Sequence, residues 1–140
     1  MNSELTEHIE QAIKGLAINA HQIDRQSAAE VSDQVMRRFV VGTPRAWWMS
    51  LAVPTETRSS SDYRLLDVLP EQQGRCWFIL ETEEKHLPVF DIDVKDVAAV
   101  LGECPFFEYY VVGRNYDWLV AESDHNMFFI CRADDGTGLR

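Results

Sequence analysis

The sequence predicts an α+β fold: two N-terminal helices, then an antiparallel sheet of about five strands interrupted by one helix. Three observations carry that reading. Apolar residues recur at spacings of three and four through the first 40 positions. From Tyr63 onward they gather instead into short runs bounded by turn residues. Between those runs lies one helical stretch with its own acidic cap, Asp93. The 140-residue length fits one domain over residues 1–132, followed by a flexible tail over 133–140 that carries Asp-Asp-Gly-Thr-Gly.

The elements follow in order. Leu5, Ile9, Ala12, Ile13, Leu16 and Ala20 form one stripe of a helix starting near Ser3, with Glu4, Glu7 and Glu10 close to its positive end. Ser27-Ala28-Ala29-Glu30 reads as a capping box for a second helix, in which Val31, Val35 and Phe39 face inward and Gly42 and Pro44 end the run. Trp47-Trp48-Met49 is apolar but too short to show a period. Residues 54–62, Pro-Thr-Glu-Thr-Arg-Ser-Ser-Ser-Asp, lack periodicity and read as an exposed loop. Cys76–Leu80 and Leu87–Ile92 read as strands joined by a hairpin-like connection over Glu81–His86. Asp93 then caps a helix with an apolar stripe of Val94, Val97, Ala98 and Leu101, ended by Gly102 and Pro105. Strands at Phe106–Val112, Tyr116–Glu122 and Met127–Arg132 close the domain.

Composition narrows the function. Thirteen Lys and Arg against 23 Asp and Glu give a net charge of −10, which opposes binding to a phosphate backbone and excludes nucleic acid as the expected partner. A basic protein partner is favoured on the same ground. No apolar run approaches the ~20 residues of a membrane span, and the N-terminus lacks a basic start with an apolar stretch, so a cytoplasmic protein without membrane contact is expected. Cys76, Cys104 and Cys131 form no C-x-x-C pair and read as reduced structural thiols.

No motif for catalysis, metal or cofactor emerges. Gly136-Thr137-Gly138 has no strand before it and no helix after it. His8, His21, His86 and His125 lack ligand spacing, and Asp91-Ile92-Asp93 lacks the glycine and distal glutamate of a calcium loop. The expectation is no metal, no cofactor and no catalytic residue. The informative segment is Phe106–Val112 with Trp118 and Glu122. A three-residue turn would pair Val112 with Tyr116 and set Tyr110 against Trp118, putting Glu108, Tyr110, Trp118 and Glu122 on one mixed aromatic and acidic face. The opposite face, continuously apolar, would lie against the helices. Glu108, inside so apolar a strand, needs hydration or a donor such as Arg45, Arg75, Tyr63 or a tyrosine hydroxyl. Candidate binding residues are therefore Glu108, Tyr110, Trp118, Glu122 and His125. The acidic run through Glu83, Glu84, Asp91 and Asp93 joins them as a surface that would steer a basic partner.

Phe107-Glu108-Tyr109-Tyr110, then Trp118-Leu119-Val120 and Glu122-Ser123-Asp124-His125, resembles a pattern in small uncharacterised bacterial domains, and these resemble the SUKH-like superfamily. The resemblance covers roughly Tyr63 to Arg132 and implies an immunity-like protein that binds a cognate toxin. It lacks the early Leu-Pro-x-x-Tyr/Phe and following Asn-Gly of better-known members. The leading reading is a non-enzymatic protein-binding domain. Two others stay open: a small-molecule-binding or hydrolytic domain using Glu108, Glu122 and His125, and a structural homodimer joined through the aromatic face.

Overall fold

A computed structural model of the chain describes residues 3–52 and 55–132. Its elements are α1 (Ser3–Leu16), β1 (His21–Gln22), α2 (Arg25–Phe39), a one-turn 3-10 helix (Trp47–Met49), β2 (Thr55–Ser59), α3 (Leu65–Val68), β3 (Arg75–Leu80), β4 (Val89–Asp93), α4 (Val94–Gly102), β5 (Tyr109–Gly113), β6 (Trp118–Ser123) and β7 (Met127–Arg132). The seven strands form one antiparallel sheet in the order β1-β4-β3-β5-β6-β7-β2.

Strand β5 lies at the centre, and all five of its residues are buried. Because side chains alternate across a strand, a central strand buried on both faces needs a packing layer on each. One layer is α1, α3 and α4, whose Ile9, Ile13, Leu65, Val68, Val97 and Val100 cover Phe78, Phe90, Tyr109, Val111, Trp118 and Val120. The other is α2 and the 3-10 turn, whose Val31, Val35, Phe39 and Trp47 cover Ile79, Tyr110, Val112, Leu119 and Ala121. Asp93 caps α4 as expected, accepting from the Lys95 amide at 3.0 Å.

The α+β class and most of the apolar stripes of α1, α2 and α4 match the sequence reading. Leu16 is exposed, however, Ala20 lies beyond α1, and Val100 rather than Ala98 is buried in α4. Four further departures are instructive. The sheet has seven strands, because residues 55–59 form an edge strand on β7 where a loop was expected, and His21–Gln22 adds a short strand to β4. Strand β2 has no apolar alternation because its side chains are mostly exposed; backbone pairing with β7 alone defines it. Helix α2 begins two residues before Ser27, capped by Asp24, whose carboxylate accepts from the Ser27 amide at 2.8 Å. Helices cover both faces of the sheet, not one. The expected tail over 133–140 lies outside the described residues.

The fourth departure is the register. Val112 pairs with Leu119 and Tyr110 with Ala121, because four residues, Arg114 to Asp117, fill the turn, with Tyr116 in the left-handed region at φ 61°. Its amide donates to the Gly113 carbonyl at 2.8 Å. The shift from the expected pairing is odd in number, so it moves Trp118 and Glu122 to the face of Tyr109. Across the β6–β7 turn, Ser123 pairs with Met127. The mixed face expected from Tyr110, Trp118 and Glu122 therefore does not form.

Gly113 shows how tightly this turn is built. A Cβ there would meet Trp118 Nε1 at 2.6 Å and Cε2 at 2.9 Å. Trp118 is itself buried and has no free direction in which to retreat. Gly113→Ala should therefore destabilise the fold by ~1–3 kcal/mol through overpacking. Urea unfolding of the two proteins side by side measures this, and equal midpoints would show that the indole repacks freely.

Candidate functional site

A concavity of about 860 Å³ opens between α2 and the connection joining β3 to β4. Helix α2 contributes Ala28, Ser32, Asp33 and Met36. The opposite wall is Glu81 to Leu87, with Glu108 beside it and Pro44, Arg45 and Trp47 closing one end. Five carboxylates (Asp33, Glu81, Glu83, Glu84 and Glu108) thus meet two permanent cations, Arg45 and Lys85, along with His86.

Sheet geometry creates the centre of this groove. The β3–β5 ladder continues one residue past Leu80 and Tyr109, and the Glu81 amide donates to the Glu108 carbonyl at 3.0 Å. Glu81 therefore lies directly opposite Glu108, and both side chains fall on the α2 side of the sheet. Like charges set across from each other in a ladder repel. Glu81 is held nonetheless by a donor, the Tyr110 hydroxyl, which reaches its Oε1 at 2.6 Å, and the nearby Trp47 backbone also favours its charged form. Tyr110 in turn accepts from the Trp48 amide at 3.2 Å and packs its ring on Trp47 at 4.9 Å. Burial raises the Glu81 pKa above the ordinary glutamate value. The Tyr110 bond opposes this, the Glu108 charge adds to it, and the Trp47 amide and Arg45 oppose it more weakly.

Glu108 accepts from the Asp124 amide at 2.9 Å, so its donor is a turn backbone and none of the side chains expected. Glu81, Glu83 and Glu108 form no ion pair among the described residues. Ser32 adds a buried hydroxyl with no hydrogen-bond partner among those residues.

The expected binding residues divide. Glu108, Glu83 and Glu84 line the groove, and Tyr110 supports it from beneath. His125 sits on the neighbouring β6–β7 turn, edge-on to Trp48 at 5.6 Å. Glu122 lies on the opposite face, accepting from the Tyr109 hydroxyl at 2.7 Å, and Trp118 is buried there in the core. This separates Glu122 from Glu108 and His125 as a catalytic set. Asp91 is engaged by Arg75 at 3.0 Å and by Arg114, whose guanidinium covers the Trp77 ring at 4.1 Å. Asp93 is the α4 cap. Both are structural acids outside the groove.

Sequence reading left out Glu81 as a site residue, together with Arg45, Ser32 and Asp33 from elements before the sheet. Glu81 was legible only as part of an acidic run. The detectable signal was its position one residue beyond an unbroken apolar strand, where it continues the face of Trp77 and Ile79.

The three cysteines are free; burial lifts the Cys76 thiol to about 12, which leaves it unreactive. Among the described residues no group of three or more His, Cys, Asp or Glu is placed to hold a metal, and no helix is long and apolar enough to cross a membrane.

A family model described as "Family of unknown function (DUF6756)" matches residues 1–136, and the chain belongs to that family. No curated protein and no solved structure matches the chain.

The raised pKa of Glu81 has a definite consequence for stability. Just above the ordinary glutamate range the unfolded side chain is ionised while the folded one still holds its proton. Stability from this group is complete below that range and is lost as pH rises through the folded pKa. Glu81→Gln should flatten this limb of the stability–pH curve and leave the variant relatively better off above it. Urea midpoints taken from about pH 4 to 7 provide the comparison; parallel curves for the two proteins would contradict the assignment. Tyr110→Phe leaves the Glu81 carboxylate and the Trp48 amide each short of a partner. It should cost ~1–3 kcal/mol in the same assay at neutral pH, and a loss near zero would mean that water replaces the hydroxyl.

Proposed function

We propose that this member of the family is a non-enzymatic binding protein that receives a basic segment of a protein partner in the groove between α2 and the β3–β4 connection. The observation that carries the reading is the opposed pair Glu81 and Glu108. Two like charges fixed across a ladder rung, both of them half-buried, are relieved by a cation placed between them. A lysine or arginine side chain supplies that cation, and Arg's planar fork also suits bidentate contact with carboxylates. The groove's other walls fit the stem of such a side chain: Trp47, Met36, Leu87 and Pro44 offer apolar surface beneath a charged rim.

The chain's net charge of −10 supports the same class of partner, since it favours encounter with a basic protein and disfavours nucleic acid. The resemblance of Phe107-Glu108-Tyr109-Tyr110 and the following strands to SUKH-like immunity proteins adds a bacterial toxin as one partner of suitable chemistry and a cytoplasmic setting for the encounter. Glu108 belongs both to that motif and to the groove.

Binding of Lys- and Arg-rich peptides, read from the fluorescence of Trp47 and Trp48, tests the proposal against acidic peptides of equal length. Glu83→Lys with Glu108→Gln should weaken the basic peptides ~10-fold or more, chiefly by slowing association, and the association rate should fall steeply with salt. Affinity should also drop as the pH is lowered through the raised Glu81 pKa, because protonation removes the charge that the ligand neutralises. Equal binding of acidic and basic peptides, or an association rate flat from low to high salt, would refute the reading.

A further inference from the structure

The two edges of the sheet differ sharply. At one end β1 has only two residues, too few to template another strand. At the other end stands β2, with five residues, Thr55-Glu56-Thr57-Arg58-Ser59. The Ser60 amide donates to the Asn126 carbonyl in line with the β2–β7 register. By two-residue alternation, the backbone groups of Glu56 and Arg58 also point to β7, and those of Thr57 point away from the sheet. The Arg58 guanidinium confirms this direction: its Nη1 donates to the outward Thr57 carbonyl at 2.8 Å.

The sequence of this edge is its own complement when reversed. With Thr57 at the centre, Glu56 falls opposite Arg58, and Thr55 opposite Ser59. We propose that two copies of the chain associate edge to edge through β2, as antiparallel strands related by a two-fold axis at Thr57. The central Thr57 residues exchange two N–H···O bonds. Glu56 of each copy then faces Arg58 of the other in the closely spaced, non-hydrogen-bonded pairs that flank the centre, where cross-strand side chains approach most nearly. Within one chain, Glu56 and Arg58 are both largely exposed and meet only at 3.7 Å. Arg58 therefore exchanges a long contact and a bond to its neighbour's carbonyl for a carboxylate directly opposite. A two-fold interface must be self-complementary, and this five-residue edge is.

Charge exchange tests the pairing. Sedimentation across a ~100-fold range of concentration should show the wild-type chain passing from one-chain to two-chain mass. Glu56→Arg alone sets like charges opposite each other twice, as does Arg58→Glu alone, and each should weaken association at least ~10-fold. An equimolar mixture of the two single variants makes both pairs complementary and should restore the two-chain species. The double exchange, Glu56→Arg with Arg58→Glu, should self-associate like the wild type. Restoration by mixing also shows that the single variants are folded. A wild-type chain of one-chain mass at every concentration would overturn the proposal, as would single variants that associate as well as the wild type or a mixture no better than its components.

Discussion

Two adjacent tyrosines on β5 point their hydroxyls to opposite sides of a strand buried on both faces. A buried phenol needs a partner, and each finds a carboxylate: Tyr109 finds Glu122 on the next strand, and Tyr110 finds Glu81 at the end of β3. Burial and the neighbouring acid drive both hydroxyls far above the ordinary tyrosine pKa, so both stay protonated donors at neutral pH. These two bonds cannot both form unless β6 pairs with β5 in the observed register and β3 extends far enough to place Glu81 opposite Glu108. The groove thus follows from a demand made by the core: Glu81 is held by Tyr110, and Glu108 is its forced neighbour.

The same demand explains what the sequence could and could not disclose. Stripes such as Val31, Val35 and Phe39 or Val94 and Val97 are local, and local periodicity sufficed to place α1, α2 and α4. The strands from Cys76 to Arg132 were legible as apolar runs. Register was not legible, because it depends on turn length, and nothing in Gly113-Arg114-Asn115-Tyr116 announces that Tyr116 takes a left-handed conformation. One miscounted turn moved Trp118 and Glu122 to the wrong face. Strand β2 was invisible for a different reason: an exposed edge strand has no buried face to leave a period in the sequence.

For the candidate site, the sequence showed that acids were abundant but not which were already engaged. Asp91 and Asp93 look equivalent to Glu83 and Glu84 in an acidic run. In the fold, Asp91 is held between Arg75 and Arg114, and Asp93 caps the start of α4. A carboxylate already serving a guanidinium or a helix end adds little to the field felt by a partner. Glu81 differs from them in its long-range support from Tyr110, and its place one residue beyond an unbroken apolar strand was the one sequence signal that set it apart.

The groove and the β2 edge occupy different parts of one sheet, and their relation follows from strand geometry. The groove is built at β3 and β5, and three strand spacings, ~14 Å at ~4.8 Å each, carry the sheet from β5 to β2. Pairing at β2 therefore leaves the groove uncovered. The axis relating two antiparallel edge strands runs perpendicular to the sheet, so both copies turn the same face the same way. The α2 layers of the proposed dimer would lie side by side, with their two acidic grooves open on one side of a continuous sheet. A partner presenting two basic segments could engage both, and the second contact would form at an effective concentration set by this fixed spacing rather than by solution concentration. The grooves would then bind such a partner more tightly as a pair than either does alone, without any new contact.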